Sequence, residues 1–179
     1  MHTSGRSIAV TVASLLVLVF VAQSARAADE PVDNPRFQRW AKFNVGSSAT
    51  FTGEMGQGNF KGEMESVYKL AEKADDHVVV EITTTMTMAG NKQTMPLQKV
   101  TINAKAPKAD VKELGKEDVE AAGKKYPCTM YELSNFTPQM KNAKLKAWVN
   151  DDIPGGIVKM EIKGDTSTIT STLKSFEVK

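Results

Sequence analysis

One cysteine, two histidines and an aromatic content of 7% are the scarce features of this 179-residue chain, and each scarcity closes off chemistry. Cys128 has no second cysteine in the chain, so no internal disulfide framework can form. His2 lies in an amino-terminal segment read below as removed, which leaves His77 as the only imidazole. A Ser-His-Asp or Cys-His centre would have to use that one ring, and a zinc site built from several His and Cys ligands cannot be assembled. No resident metal and no cofactor are expected.

What is present begins with a targeting segment. Arg6 gives a short positive region, Ile8 to Val21 an apolar run, and Ala25-Arg26-Ala27 a small-x-small cleavage site before Asp29-Glu30. The apolar run is shorter than the ~20 residues a bilayer span needs, so residues 1–27 read as a secretory signal peptide. The mature chain is expected to be exported to the periplasm or beyond, with no integral membrane span. Loss of Arg6 and Arg26 takes 23 Lys+Arg down to 21, against 21 Asp+Glu. A neutral mature chain with dispersed lysines gives no footprint for nucleic acid. Residues 28–34 read as a flexible leader, and 35–179 as a single β-rich domain.

Asn34-Pro35 has the form of an N-cap followed by proline at the first helical position, which predicts one short helix over 35–42 carrying Phe37 and Trp40. Thereafter the apolar period is two. Met64, Tyr68 and Leu70 alternate with charged residues, and Val78, Val80, Ile82, Met86 and Met88 alternate with Glu81, Thr83, Thr85 and Thr87. Such alternation predicts antiparallel strands with one dry face. The expected strands are 44–55, 60–72, 77–89, 92–104, 117–122, 125–133, 143–150, 156–163 and 166–178. A helical turn is expected over 107–115. So long a sheet must curl, which predicts a strongly curved antiparallel meander, a half-barrel or open barrel, with one short N-terminal helix.

Three groups of residues are candidates for function. Asp151-Asp152-Ile153-Pro154-Gly155-Gly156 reads first as a structural turn, since Pro-Gly suits the centre of a type II turn. The competing reading makes Asp151 and Asp152 an acid/base or cation site, but neighbouring carboxylates in a strand point apart and calcium needs more oxygens. Met86, Met88 and Met95 crowd one hairpin. A turn at Gly90-Asn91 would set Met86 opposite Met95. Thioethers can hold Cu(I), though adaptable filling of a core or lipid surface is the stronger reading from sequence. Met64, Tyr68, Ile82, Met86, Met88, Met95 and Trp148 are therefore expected to line an apolar concave face. Cys128 reads as a buried thiol, His77 as a solvated loop residue, and Lys141, Lys144 and Lys146 as a wet strand face.

The tracts Gly123-Lys124-Lys125-Tyr126-x-Cys128, Lys146-Ala147-Trp148 and Asp152-Ile153-Pro154-Gly155-Gly156-Ile157-Val158-Lys159 carry a resemblance. Over roughly residues 37–178 the chain resembles exported bacterial proteins, many of them planctomycete, with a G-K-x-Y/F-x-C … W … D-x-P-G-G-x-V-K pattern. That resemblance implies a curved sheet similar to the periplasmic lipoprotein carriers, and implies fold more than activity. Three functions stay open: a non-catalytic protein holding a lipid or other apolar ligand, a cell-envelope interaction protein with a filled core, and a carboxylate-only hydrolase using Asp151 or Asp152.

Overall fold

A computed structural model describes residues 30–57, 60–134 and 143–179. The expected signal segment, the Gly58-Asn59 part of the first turn and Lys141 lie outside the described residues. The chain enters through β1 (Val32–Asp33) and helix α1 (Pro35–Ala41). Asn34 caps that helix: its Oδ1 accepts from the Arg36 N–H at 3.0 Å, while its Nδ2 donates to the Asn103 carbonyl at 2.8 Å. One side chain therefore starts the helix and ties it to the sheet.

The strands follow as β2 (Ser48–Gln57), β3 (Phe60–Lys73), β4 (His77–Met88), β5 (Asn91–Thr94), β6 (Gln98–Asn103) and β7 (Lys105–Ala106). After these come β8 (Val111–Ala121), β9 (Lys124–Ser134), β10 (Lys144–Val149), β11 (Ile157–Lys163) and β12 (Ser167–Glu177). Ten of them form one sheet in the order β5-β4-β3-β2-β12-β11-β10-β9-β8, with β6 continuing the β5 edge along β4. All described pairings are antiparallel. The chain starts in the middle, runs outward to β6, crosses to the far edge at β8 and returns to lie beside β2.

That crossing forces curvature. Nine strand columns laid flat would separate the edges by ~38 Å at about 4.8 Å per spacing. The eight residues from Asn103 to Val111 reach at most ~27 Å. Consistent with a bend, the Ala122 N–H at the tip of the β8–β9 hairpin donates to the Leu173 carbonyl of β12 at 3.2 Å. Irregular pairings at Leu70/Glu72, Glu113/Gly115, Trp148/Val149 and Leu173/Ser175 supply the local kinks. The edges do not pair with each other among the described residues, so the sheet is curved and open.

Several local readings change. The segment 107–115 is not a helical turn: β8 begins at Val111, and the three-residue spacing of Val111 and Leu114 arises from a bulge that ends at Gly115, φ 121°. The expected strand 92–104 divides because Pro96 has no N–H to continue a ladder. The hairpin after β4 turns on Ala89-Gly90, φ 48° and 80°, not on Gly90-Asn91. Met88 therefore faces Asn91 and Met86 faces Gln93, while Met95 lies past the end of β5. Val32–Asp33, within the expected leader, pair with Lys105–Ala106.

Ala89 holds a left-handed conformation that a two-residue hairpin demands and that costs an L-residue with a Cβ. Ala89→Asn should raise stability by about 1 kcal/mol, seen as a melting temperature about 2–4 °C higher by circular dichroism. An unchanged or lower temperature would refute the turn assignment.

Candidate functional site

The concave face is closed by two pieces anchored on different parts of the sheet. Helix α1 lays Trp40 and Phe37 on Leu70, Val80, Ile82, Val100 and Ile102 of β3, β4 and β6. The loop Asn150–Gly156 projects from β10 and β11. Pro154-Gly155 forms the centre of a turn closed by the Gly156 N–H onto the Ile153 carbonyl at 2.7 Å, with Gly155 at φ 79°. Asn150 binds the loop together: its N–H donates to the Gly156 carbonyl at 2.8 Å, its Oδ1 accepts from the Asp152 N–H at 2.9 Å and its Nδ2 donates to the Pro127 carbonyl at 2.8 Å. A buried asparagine with so many partners fixes the loop to β9.

Helix and loop meet face to face. A Cβ at Gly155 would lie 2.7 Å from two ring carbons of Trp40, so only glycine lets the indole rest on the loop backbone. Asp151 takes Arg39 Nε at 3.1 Å and Lys42 Nζ at 3.3 Å, both from the same end of the helix. Partial burial raises the Asp151 pKa, but hydrogen bonds and charge from Arg39 and Lys42 outweigh it and hold the carboxyl below its ordinary value. With the folded-state pKa depressed, the contribution of this contact is present above the unfolded carboxylate pKa and fades as pH falls through the folded value. Beneath the junction lies a cavity of about 30 Å³ bounded by Trp40, Phe51, Tyr68, Pro154, Met160 and Ser171.

The candidate residues separate into three groups. Met64, Met86, Met88 and Met95 share one cluster with Met55, Met160, Leu145, Ile162 and Ile169. Ile82 and Tyr68 lie under the helix with Trp40, and Tyr68 meets Phe51 edge-on at 5.3 Å. Burial pushes the Tyr68 phenol up to about 12, against the pull of the Arg36 guanidinium, which burial itself lowers to about 10. Trp148 belongs to a third cluster with Cys128, Tyr126 and Val158. Its Nε1 donates to Glu117 Oε2 at 2.8 Å, and Lys159 Nζ sits 4.5 Å above its ring.

The Asp151 carboxylate is held by two cations, Asp152 is exposed with only its backbone N–H bonded to Asn150, and no cluster of three His, Cys, Asp or Glu side chains occurs among the described residues. Cys128 is buried. Desolvation, then Asp118 and Glu117, push its thiol up, which makes it a poor nucleophile. His77 is half-buried at the start of β4, its Nδ1 2.7 Å from Asp76 Oδ1. Arg39, Lys42 and Asn150 were not singled out by sequence. A basic residue in a last helical turn carries no signal of a contact 112 positions away, nor does an asparagine before an acidic pair signal a bond to a carbonyl 23 positions back.

No family model and no curated protein matches the chain. Among solved structures it is similar to a Bacteroides fragilis protein described as exported with a YmcC-like fold, at 12% identity over 75% of this chain and 97% of that one, TM-score 0.49. It is similar to MucB, solved in complex with MucA(peri), at 11% identity over 80% of this chain and 55% of that one, TM-score 0.43. A Vibrio parahaemolyticus outer membrane lipoprotein-sorting protein domain shares 9% identity over 79% of this chain and 89% of that one, TM-score 0.35. At these identities and scores, what this chain does has to be argued from its own residues.

The Trp40–Gly155 seat is directly testable. Gly155→Ala combines a clash with the indole and a disfavoured φ, so it should cost about 2 kcal/mol or more, measured by urea unfolding. Stability within about 0.5 kcal/mol of the parent, the range of an ordinary surface change, would show that helix and loop do not bear on each other.

Proposed function

We propose that the chain is an exported, non-catalytic binding protein that takes a lipid or other apolar ligand against its concave sheet once α1 and the Asn150–Gly156 loop move apart. The observation that supports this reading most is the two-piece cover. An apolar sheet face is roofed by a helix and a loop that meet through an indole on a glycine backbone and one exposed carboxylate between two cations. No strand hydrogen bonding joins the helix to the loop among the described residues, so the two can part without breaking the sheet. Methionine side chains lining one end of the same face adapt to ligands of varied shape.

A second reading, a cell-envelope interaction protein with a filled core, draws support from the cavity itself. A volume of about 30 Å³ holds a water molecule or so and no acyl chain, so the apolar face is packed beneath the junction, and the larger grooves, of about 500 and 570 Å³, are lined mainly by polar residues such as Glu54, Glu63, Thr87 and Thr170. A carboxylate-only hydrolase has no such support: Asp151 is engaged with Arg39 and Lys42, and Asp152 is exposed with no cluster of acidic, His or Cys side chains around it among the described residues.

Native mass spectrometry of protein purified from an exporting host should find a retained lipid or acyl species. A fluorescent fatty acid should bind, and should do so more tightly to Gly155→Ala, whose cover is loosened. Absence of adduct together with no fluorescence response from either protein would overturn the carrier reading. Trapping of an envelope protein by crosslinking in that case would establish the second.

A further inference from the structure

The methionine-rich end of the concave face has a geometry that filling a core does not require. Met55, Met64, Met86, Met88, Met95 and Met160 all belong to one cluster. Among the described residues Met130 alone lies in another, and the cluster beneath α1 is built from Leu, Ile, Val and Trp with no methionine. Every part of the bent sheet needs filling, so a need for adaptable filler does not explain why the thioethers gather at one end.

The strand register shows how they gather. Met64 of β3 stands directly opposite Met86 of β4. In the next row of the same face, Met55, Gly62 and Met88 line up across β2, β3 and β4. Gly62 offers no side chain, and its flanking methionines lean over it: a Cβ there would lie 3.2 Å from Met88 Cγ and 3.4 Å from Met55 Cγ. Two thioether side chains thus lean over one bare stretch of backbone, and the facing pair Met64 and Met86 stands in the adjoining row of the same face. Met55, Met64 and Met86 are buried, whereas Met88 and the adjoining Met95 are only partly so, which leaves one side open to solvent.

We propose that this methionine group is a soft-metal site that takes a single Cu(I) ion above Gly62, with Met55, Met64, Met86 and Met88 supplying the sulfurs. Thioether sulfur is a soft, neutral donor that selects Cu(I) over hard or borderline ions. Methionine's three rotatable bonds let sulfurs on neighbouring strands turn toward one centre. Binding donates lone pairs only; no proton leaves and no bond breaks, so affinity does not change with pH as it would for thiolate or imidazole ligands. The inference is independent of lipid binding: it concerns the wall of the concave face and needs no movement of α1.

The test is competition for Cu(I) against a chromophoric chelator with the purified protein, together with Ag(I) as a redox-silent probe in native mass spectrometry. The protein should retain one metal equivalent with the same affinity at acidic and neutral pH, and X-ray absorption should find sulfur as its only ligand. Met86→Leu and Met88→Leu, which conserve volume, should each weaken binding about tenfold or more while keeping the parent melting temperature. Cys128→Ser should bind as the parent does. Failure of the parent to hold Cu(I) or Ag(I), loss of binding in Cys128→Ser, or unchanged affinity in both leucine variants would each overturn the site. Should the leucine variants unfold, Gly62→Val, which fills the floor between Met55 and Met88, supplies the same comparison.

Discussion

A sheet nine columns wide, apolar on one face and provided among the described residues with a single seven-residue helix, has to bend until that face covers itself. The link from β6 to β8 makes the bend obligatory, because its eight residues cannot reach across a flat sheet. Everything else follows from that constraint. The bulges appear where strands must kink, the β8–β9 hairpin reaches Leu173, and the gap left on the concave side is closed by whatever the chain carries near its two ends of that gap, α1 and the Asn150–Gly156 loop.

Magnitudes decide what holds that cover. The Arg39–Asp151–Lys42 contact is partly exposed, and such ion pairs are worth about 0–1 kcal/mol after screening. Trp40 is 3% exposed, and removing an indole so buried costs about 3–5 kcal/mol. The indole on the glycine backbone therefore dominates, while the ion pairs fix the direction of approach. A cover held chiefly by one aromatic seat leaves only a slot of about 30 Å³ beneath it and is still separable from the sheet's own hydrogen bonds.

Much of the fold was legible in the sequence because its signals are local. Asn34-Pro35 announces the helix, and the alternation of Val78, Val80, Ile82 and Met86 announces a half-buried strand. Local signals failed where one extra residue changes the count. The bulge before Gly115 imitates helical spacing, and Ala89, which no turn rule favours, displaces the hairpin by one residue and removes Met86 from Met95. The grouping of candidate residues was less legible still. Trp148 has the strand parity of Lys144 and Lys146, the wet positions of β10, and not that of Leu145, Ala147 and Val149, so it faces away from the methionine cluster and is buried instead with Cys128, Tyr126 and Glu117 of the β8–β9 hairpin. Contacts such as Arg39 to Asp151 span 112 positions and leave no trace in spacing.

Ligand entry requires a cover that opens while the sheet stays folded, and hydrogen exchange measures that opening most directly. The amides of Asn150, Ile153 and Gly156, which bond only within the loop, and those of α1 should exchange through openings of clearly lower free energy than the β3–β4 amides, under conditions where the sheet remains protected. If loop and helix amides instead exchanged only with global unfolding, at the same free energy as the central strands, the cover would be part of one indivisible core and the account would be contradicted.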